Sequence, residues 1–362
     1  MRNMIARPSP LGFAGIAAAL ALSAPLKGQE PPAPPPAPAA EPVSLAPPAP
    51  TIEPTFLDRT PVAGQLADQG TAETLNTGID RNARMTLAVN IAGHGPYDFI
   101  VDTGSERTVV SRELANDLAM GPGPPATVHS MTEVSQIPTV VLQGLRVGQR
   151  TMQDIHAPAL SRVNLGAAGM LGVDTLQTQR VIFDFQHHEM TVMPSVRSDP
   201  HWPEGTIVVT ARSRFGRLML IDASLDGQRL YVIIDTGSEI SVGNMALRNA
   251  LARNRRLGTM LPITMVSVTG GRITAEYTIA RRMRIGDADI NNLPIAFADV
   301  HPFRQLQLLD RPAVLLGMDA LQLFRRVSVD FANRRVRLLT PESSLNRGPV
   351  QMAGGQEIAR TR

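Results

Sequence analysis

Apolar positions in this chain fall into short runs that alternate with polar ones, and the same succession of runs occurs twice. "MTLAVNIAGHGPYDFIV" (Met85 to Val101) matches "LMLIDASLDGQRLYVII" (Leu218 to Ile234). Each predicts a strand, a turn holding glycine (Gly93-His94-Gly95-Pro96 and Asp226-Gly227), and a second strand. The segments "SRELANDLAM" and "NMALRNALAR" follow, each with the composition and spacing of a short helix. Strand–turn–strand patterns come next, after Pro125 and Pro262. "LRVGQ" then pairs with "MRIGD", and "GMLGVDTLQ" with "VLLGMDALQ". Each copy closes on a hairpin, "RVIFDFQHHEMTVM" or "RVSVDFANRRVRLL". Six landmarks in one order make a tandem duplication, the second copy longer by about a dozen residues before its "LLG". Strands dominate, with about two short helices per copy, so the fold class is all-β.

Composition narrows the chemistry. The 362 residues hold no cysteine, which excludes disulfides, thiol nucleophiles, Fe–S clusters and cysteine-ligated zinc. With 43% hydrophobic and 4% aromatic residues, the core must be built mainly from Val, Ile, Leu, Met and Ala. The formal net charge is only +3, and Lys27 is the single lysine. Short arginine clusters occur at "RNRR", "RRMR" and "RRVR", without the long basic stripe and interleaved aromatics that nucleic acid requires. They read as solvated faces.

The ends carry different signals. Arg2 and Arg7 precede an apolar run, Leu11 to Ala24, too short for a membrane span and fitting a secretory signal. Pro25 after Ala24 is a poor cleavage site, so residues 1–28 read as a signal peptide or as an uncleaved anchor. Residues 29–80 form a Pro/Ala-rich spacer, stiff and extended, with ordered structure expected from near Arg81. The first copy spans 81–195, a connector 196–216, the second copy 217–341 and a flexible tail 342–362.

Within each copy "FIVD" and "VIID" end an apolar strand on an acid followed by Thr-Gly-Ser-Glu. A lone Asp-Thr-Gly-Ser is weak evidence, because Asp and Gly are common turn residues. Two copies related by pseudo-twofold symmetry bring two carboxylates face to face, and glycine permits that approach. Such a pair shares one proton, which puts an acid and a base together at one pH. The ionised member can take a proton from a water that attacks a carbonyl, while the protonated member donates to the carbonyl oxygen. This chemistry needs neither a cofactor nor a metal.

The pairs "DTGS…LGVD" and "DTGS…LGMD" resemble the aspartic protease superfamily, specifically the retropepsin-like aspartyl proteases of bacterial envelopes, over about Met85 to Pro341. The resemblance implies an acid-protease-type double β-barrel of two retropepsin-like halves in one chain. It implies Asp102 and Asp235 as the catalytic dyad, and Thr103 and Thr236 as cross-loop hydrogen-bonding residues. Gly104 and Gly237 would allow the loops to meet, and Ser105 and Ser238 would donate to the outer carboxylate oxygens. The elements "MLG" (Met170 to Gly172) and "LLG" (Leu315 to Gly317) match the family's later hydrophobic-hydrophobic-Gly. Gly270 and Gly271 suit a mobile flap tip; Glu133 and Val134 stand in their place in the first copy, which implies a first flap that is stiffer or shaped differently.

Other conserved-looking pairs between the copies have simpler readings. His187-His188 reads as a surface turn, and Asp184 and Asp330 as the start of hairpin turns. Asp174 and Asp319 read as starts of the helix after the glycine, and Trp202 as packing in the connector. Glu106 and Glu239 read as outward-facing turn positions. The expected protein is therefore an exported aspartic endopeptidase of the periplasm or cell envelope, a monomeric pseudo-dimer that takes an extended peptide. The competing readings are a non-catalytic peptide-binding scaffold on the same fold, and copies that pair with a second chain.

Overall fold

The computed structural model describes residues 72–176, 179–195, 203, 205–214, 217–341 and 351–353, all within one compact unit spanning 60–362. The N-terminal segment, the spacer up to residue 71, Trp202 and most of the tail lie outside the described residues. The two copies fold as two β-barrels. In the first, strand Met85–Ile91 buries Met85, Leu87, Val89 and Ile91 on one face, as period-2 alternation demands. It pairs antiparallel with His94–Val101 and with Leu145–Val147. The second half repeats the pattern with Arg217–Leu220 against Tyr231–Ile234, and the long strands Arg272–Ile285 and Ala288–Phe297 complete it. Buried residues of both halves, such as Leu87, Phe99 and Phe183 with Leu220, Ile285 and Leu316, join in one core cluster.

The helix expected after each active loop forms, Arg112–Asp117 and Met245–Arg253. Each is capped by a side chain whose oxygen accepts from the amide three residues on: Ser111 Oγ from Leu114 at 3.1 Å and Asn244 Oδ1 from Leu247 at 2.9 Å. The turn after each "LG" is a 3-10 helix, Val173–Thr175, in the first copy and an α-helix, Met318–Leu321, in the second. Two further helices were not legible. Arg162–Leu165 is one turn long and stops on Gly166 at φ +81°, and His301–Gln305 lies in the second copy's extra residues.

The halves are joined by a six-stranded antiparallel sheet, ordered Glu73–Asn76, Glu189–Pro194, Gln179–Asp184, Arg326–Asp330, Arg335–Leu339 and Thr206–Thr210. Two boundaries move because of it. A strand, Glu73–Ile79, lies ahead of Arg81 in the span read as spacer, and Thr206–Arg214 is a strand inside the span read as connector. "ETLNTGI" is polar and half-buried at a sheet edge, so its hydrophobic pattern is faint. In the expected tail, Gln351–Ala353 adds a parallel strand to Asp289–Asn291.

At the centre of this sheet the closing hairpins of the two copies pair with each other, Arg180 opposite Asp330 and Asp184 opposite Arg326. Arg180 Nε and Nη2 both donate to Asp330 Oδ2, at 3.1 and 2.9 Å, with both side chains buried. The symmetry mate, Arg326 with Asp184, is a half-exposed copy of the same pair. Asp184 and Asp330 do start hairpin turns, accepting from the amides of His187 and Asn333. Their second role, holding the halves together, depends on pairing between residues about 140 apart.

Candidate active site

Each active loop is built by a strand that the later "LG" element runs beside. Gly169–Leu171 lies parallel to Phe99–Val101, and Ala313–Leu316 parallel to Tyr231–Ile234. The amide of Asp102 then donates to Leu171 O at 2.9 Å, and that of Asp235 to Leu316 O at 3.0 Å. Gly172 and Gly317 sit against the loops: a Cβ on Gly317 would lie 2.6 Å from the Ile240 carbonyl carbon, and one on Gly172 would overlap Arg107. Only glycine fits there.

Asp174 and Asp319 brace the same loops from behind. Asp174 accepts from the amide and hydroxyl of Thr108, both at 2.9 Å; Asp319 accepts from the amide of Ser241 at 3.0 Å and its hydroxyl at 2.7 Å. Both carboxyls are pushed up by burial, Asp319 to about 6, with the nearby Glu239 adding to the effect. A raised acid pKa means that the folded state keeps a proton which the unfolded chain sheds near pH 4. The contribution is fully present below about pH 4 and is lost as pH rises through about 6. Across that window the stability of wild type is expected to fall relative to Asp319→Asn by about 2–3 kcal/mol. Urea unfolding of both proteins at pH 4, 5, 6 and 7 checks this, and a constant difference would exclude it.

The two loops meet through their threonines. The Thr103 amide donates to Thr236 Oγ1 at 3.0 Å, and the Thr236 amide faces Thr103 Oγ1 at 3.4 Å. Thr103 Oγ1 in turn donates to Ile234 O at 3.1 Å, and Thr236 Oγ1 to Val101 O at 2.7 Å. Both threonines are buried. Every bond of the set crosses from one half to the other, so the loops hold each other.

The carboxylates follow from that clasp. A Cβ placed on Gly104 would lie 2.8 Å from Asp235 Oδ1 and 3.1 Å from Asp102 Oδ1, so a single carbon there touches both acids. One placed on Gly237 would overlap the Asp102 carboxylate. Each glycine amide also donates to the acid two residues before it, Gly104 to Asp102 Oδ1 at 2.7 Å and Gly237 to Asp235 Oδ1 at 3.2 Å. The serines depart from expectation: Ser105 Oγ donates to Arg107 O and Ser238 Oγ to Ile240 O, both at 2.8 Å, and not to the carboxylates. A hydroxyl has one proton, and the turn carbonyl two residues on takes it. The serines support the loops, not the acids.

Above the dyad lies a cavity of about 570 Å³, with Asp102, Asp235, Val109 and Leu315 among its floor and wall residues and Met131 and Val268 on the flaps. Both flaps reach across. The first, Pro122–His129 with Val134–Leu142, sets Met131 against the second half's apolar cluster around Ile233, Val242 and Leu315, and Met131 O accepts from the His301 amide at 2.9 Å. The second, Leu261–Val266 with Arg272–Ile285, sets Val268 against the first half's Val109, Leu160 and Met170. The tips touch where Thr269 Oγ1 donates to Ser130 Oγ at 3.1 Å.

The flaps differ by length rather than by replacement. Four residues, 130–133, separate the last paired positions of the first flap, and five, 267–271, those of the second. The first turn has no residue at positive φ, whereas Gly270 sits at φ +91°. Glu133 therefore closes a tighter turn that never needed glycine, and Val134 is already the first residue of the returning strand, paired with His129. The tips share a Ser-apolar-Thr triplet, Ser130-Met131-Thr132 and Ser267-Val268-Thr269, that aligning the two flaps could have exposed. Ser130 and Ser267 are buried, and each triplet inserts its middle residue into the opposite half.

Glu106 and Glu239 line the cavity, contrary to the outward-facing expectation. His187-His188 is an exposed turn, with His187 Nδ1 2.9 Å from Asp184 Oδ2. Among the described residues no three His, Asp or Glu side chains converge as a metal site.

Two barrels joined by a six-stranded sheet, with paired Asp-Thr-Gly loops clasped at their interface, define an acid-protease double barrel. Family comparison agrees half by half. Residues 87–178 match the model described as gag-polyprotein putative aspartyl protease, and residues 221–320 match the model described as aspartyl protease. Together the matches span more than half of the sequence, and the chain belongs to the aspartyl protease family as two tandem retropepsin-like repeats. No curated protein matches the chain significantly.

Proposed function

We propose that this protein is an aspartic endopeptidase whose single site is shared by the two halves of one chain. The observation that carries the reading is the convergence of Asp102 and Asp235 on the Gly104 position, within a cleft that both flaps cover. Two carboxylates this close share a proton. The ionised one takes a proton from a water seated between them, and that water attacks the scissile carbonyl. The protonated one donates to the carbonyl oxygen, giving a gem-diol. The proton taken from water then passes to the amide nitrogen, and the C–N bond breaks to release the amine. A diol hydroxyl returns its proton to the other carboxylate as the new carboxylic acid forms. A peptide lies extended between floor and flaps, main chain against strand. The threonine clasp within one chain supports a monomeric pseudo-dimer over halves that pair with a second chain. Arg2, Arg7 and the apolar run after them support export to the periplasm or cell envelope, with a retained N-terminus as anchor the variant form.

Incubating the exported form with a peptide library from acidic to neutral pH tests the reading. Cleavage at internal bonds is expected. Binding of the same peptides without cleavage at any pH favours the non-catalytic scaffold instead.

A further inference from the structure

The motif places a glutamate directly after Asp-Thr-Gly-Ser in both copies, and both glutamates line the cleft. Their surroundings are not equivalent. Glu106 Oε1 accepts from Gln305 Nε2 at 2.9 Å, and Gln305 belongs to the short helix within the second copy's extra residues. The first copy's counterpart, between its last barrel strand and its "LG" strand, is the shorter turn Arg162–Leu165, and no side chain of it hydrogen-bonds Glu239. The Glu239 side chain forms no hydrogen bond and no ion pair with the described residues.

The charged groups near Glu239 are already engaged. Arg84 donates through Nε and Nη2 to Asp80 Oδ2, at 2.9 and 2.7 Å, and through Nη2 to Leu165 O at 2.6 Å. Asp319 faces its own loop through Ser241. Glu239 is an exposed side chain on the cleft wall without a partner among the described residues; the part of it that is covered pushes its pKa up, which Arg84 opposes and Asp80 reinforces. An unpartnered carboxylate on the wall of a binding cleft can take a charge-assisted hydrogen bond from a cation that arrives with the ligand.

We infer that Glu239 is a specificity-determining residue of the cleft, accepting a Lys or Arg side chain of the bound peptide at one end only. The inference rests on the peptide-binding reading of the cleft. It also gives a pseudo-symmetric groove a direction. At the Glu106 end one carboxylate oxygen is already held by Gln305, so a basic side chain there competes with a bonded donor for Oε1 and finds the group fixed in place. At the Glu239 end it meets a vacant carboxylate.

A lysine scan tests this. Peptides carrying Lys, norleucine or Glu at each successive position are compared for kcat/KM with wild type, Glu239→Gln and Glu106→Gln. The same peptides, fluorescently labelled, are titrated by anisotropy against the full chain carrying Asp102→Asn. In wild type, one position is expected to prefer Lys over norleucine by about tenfold, the scale of a charge-assisted hydrogen bond. Glu239→Gln removes that preference, seen mainly in KM, whereas Glu106→Gln retains it, and added salt weakens it in wild type. Adding Glu239→Gln to the Asp102→Asn chain should likewise remove the Lys preference in binding. The inference is overturned if the preference survives Glu239→Gln, if Glu106→Gln removes it equally, or if no position prefers Lys in either assay. If no peptide is cleaved but the binding preference follows Glu239, the catalytic reading fails and the recognition role stands.

Discussion

Asp102→Asn and Asp235→Asn are each expected to lower peptide turnover by about a thousandfold or more, the range that proton transfer by a positioned group supplies. Asparagine keeps an oxygen that can accept from the amide of Gly104 or Gly237, so the loops should stay in place. What it cannot do is take or give the shared proton. Because the two acids act as one unit, the double variant should be scarcely worse than either single one. Initial rates on one good library peptide, with circular dichroism to confirm folding, provide the measurement. Substantial turnover in either single variant would mean that the halves do not share a site.

The largest expected effect on stability lies away from the cleft. Asp330→Ala takes away the carboxylate to which Arg180 donates twice, in a sheet where the arginine is 1% exposed. Removing one member of a buried pair costs about 3–5 kcal/mol, because the remaining charge keeps its desolvation penalty and loses its compensation. Asp184→Ala should cost clearly less, since its partner Arg326 is 35% exposed at the side chain. Urea midpoints of the two variants rank them; equal losses would contradict the burial argument. Since Asp330 and Arg180 come from different halves, the loosened protein should also lose activity without any change at the dyad.

The core of the site could be read from the residues alone because its signals are local and doubled. Asp-Thr-Gly at the end of an apolar strand, and Gly172 and Gly317 after their apolar pairs, sit within a few positions of what they organise. Features that required partners from the other half were hidden. The Arg180–Asp330 pair needs an antiparallel register between two hairpins, and nothing within either hairpin announces it. The polar strand Glu73–Ile79 has a faint pattern because it lies at an edge, pairing with one neighbour over Glu73–Asn76 and with another over Thr77–Ile79. The two flaps do differ in shape, but the cause was hidden for another reason. A one-residue difference in loop length looked like substitution of glycines until the paired positions fixed where each turn begins.

The hairpin contact at the centre of the joining sheet has a consequence for how the site depends on concentration. Each copy offers Arg at one end of the strand and Asp at the other, so the contact is self-complementary: what Arg180 gives Asp330, Arg326 gives Asp184. Two separate chains carrying one copy each could form it, but such a site would dissolve on dilution. Here the chain from one copy to the next holds the second half at a tethered effective concentration, about millimolar for short linkers. Assembly of the dyad is therefore first order, and activity per molecule should stay constant down to dilutions at which a two-chain site would fall apart. The same tether frees the halves from having to be identical, and the unequal flaps and the unequally partnered Glu106 and Glu239 are differences that a dimer of one repeat could not encode.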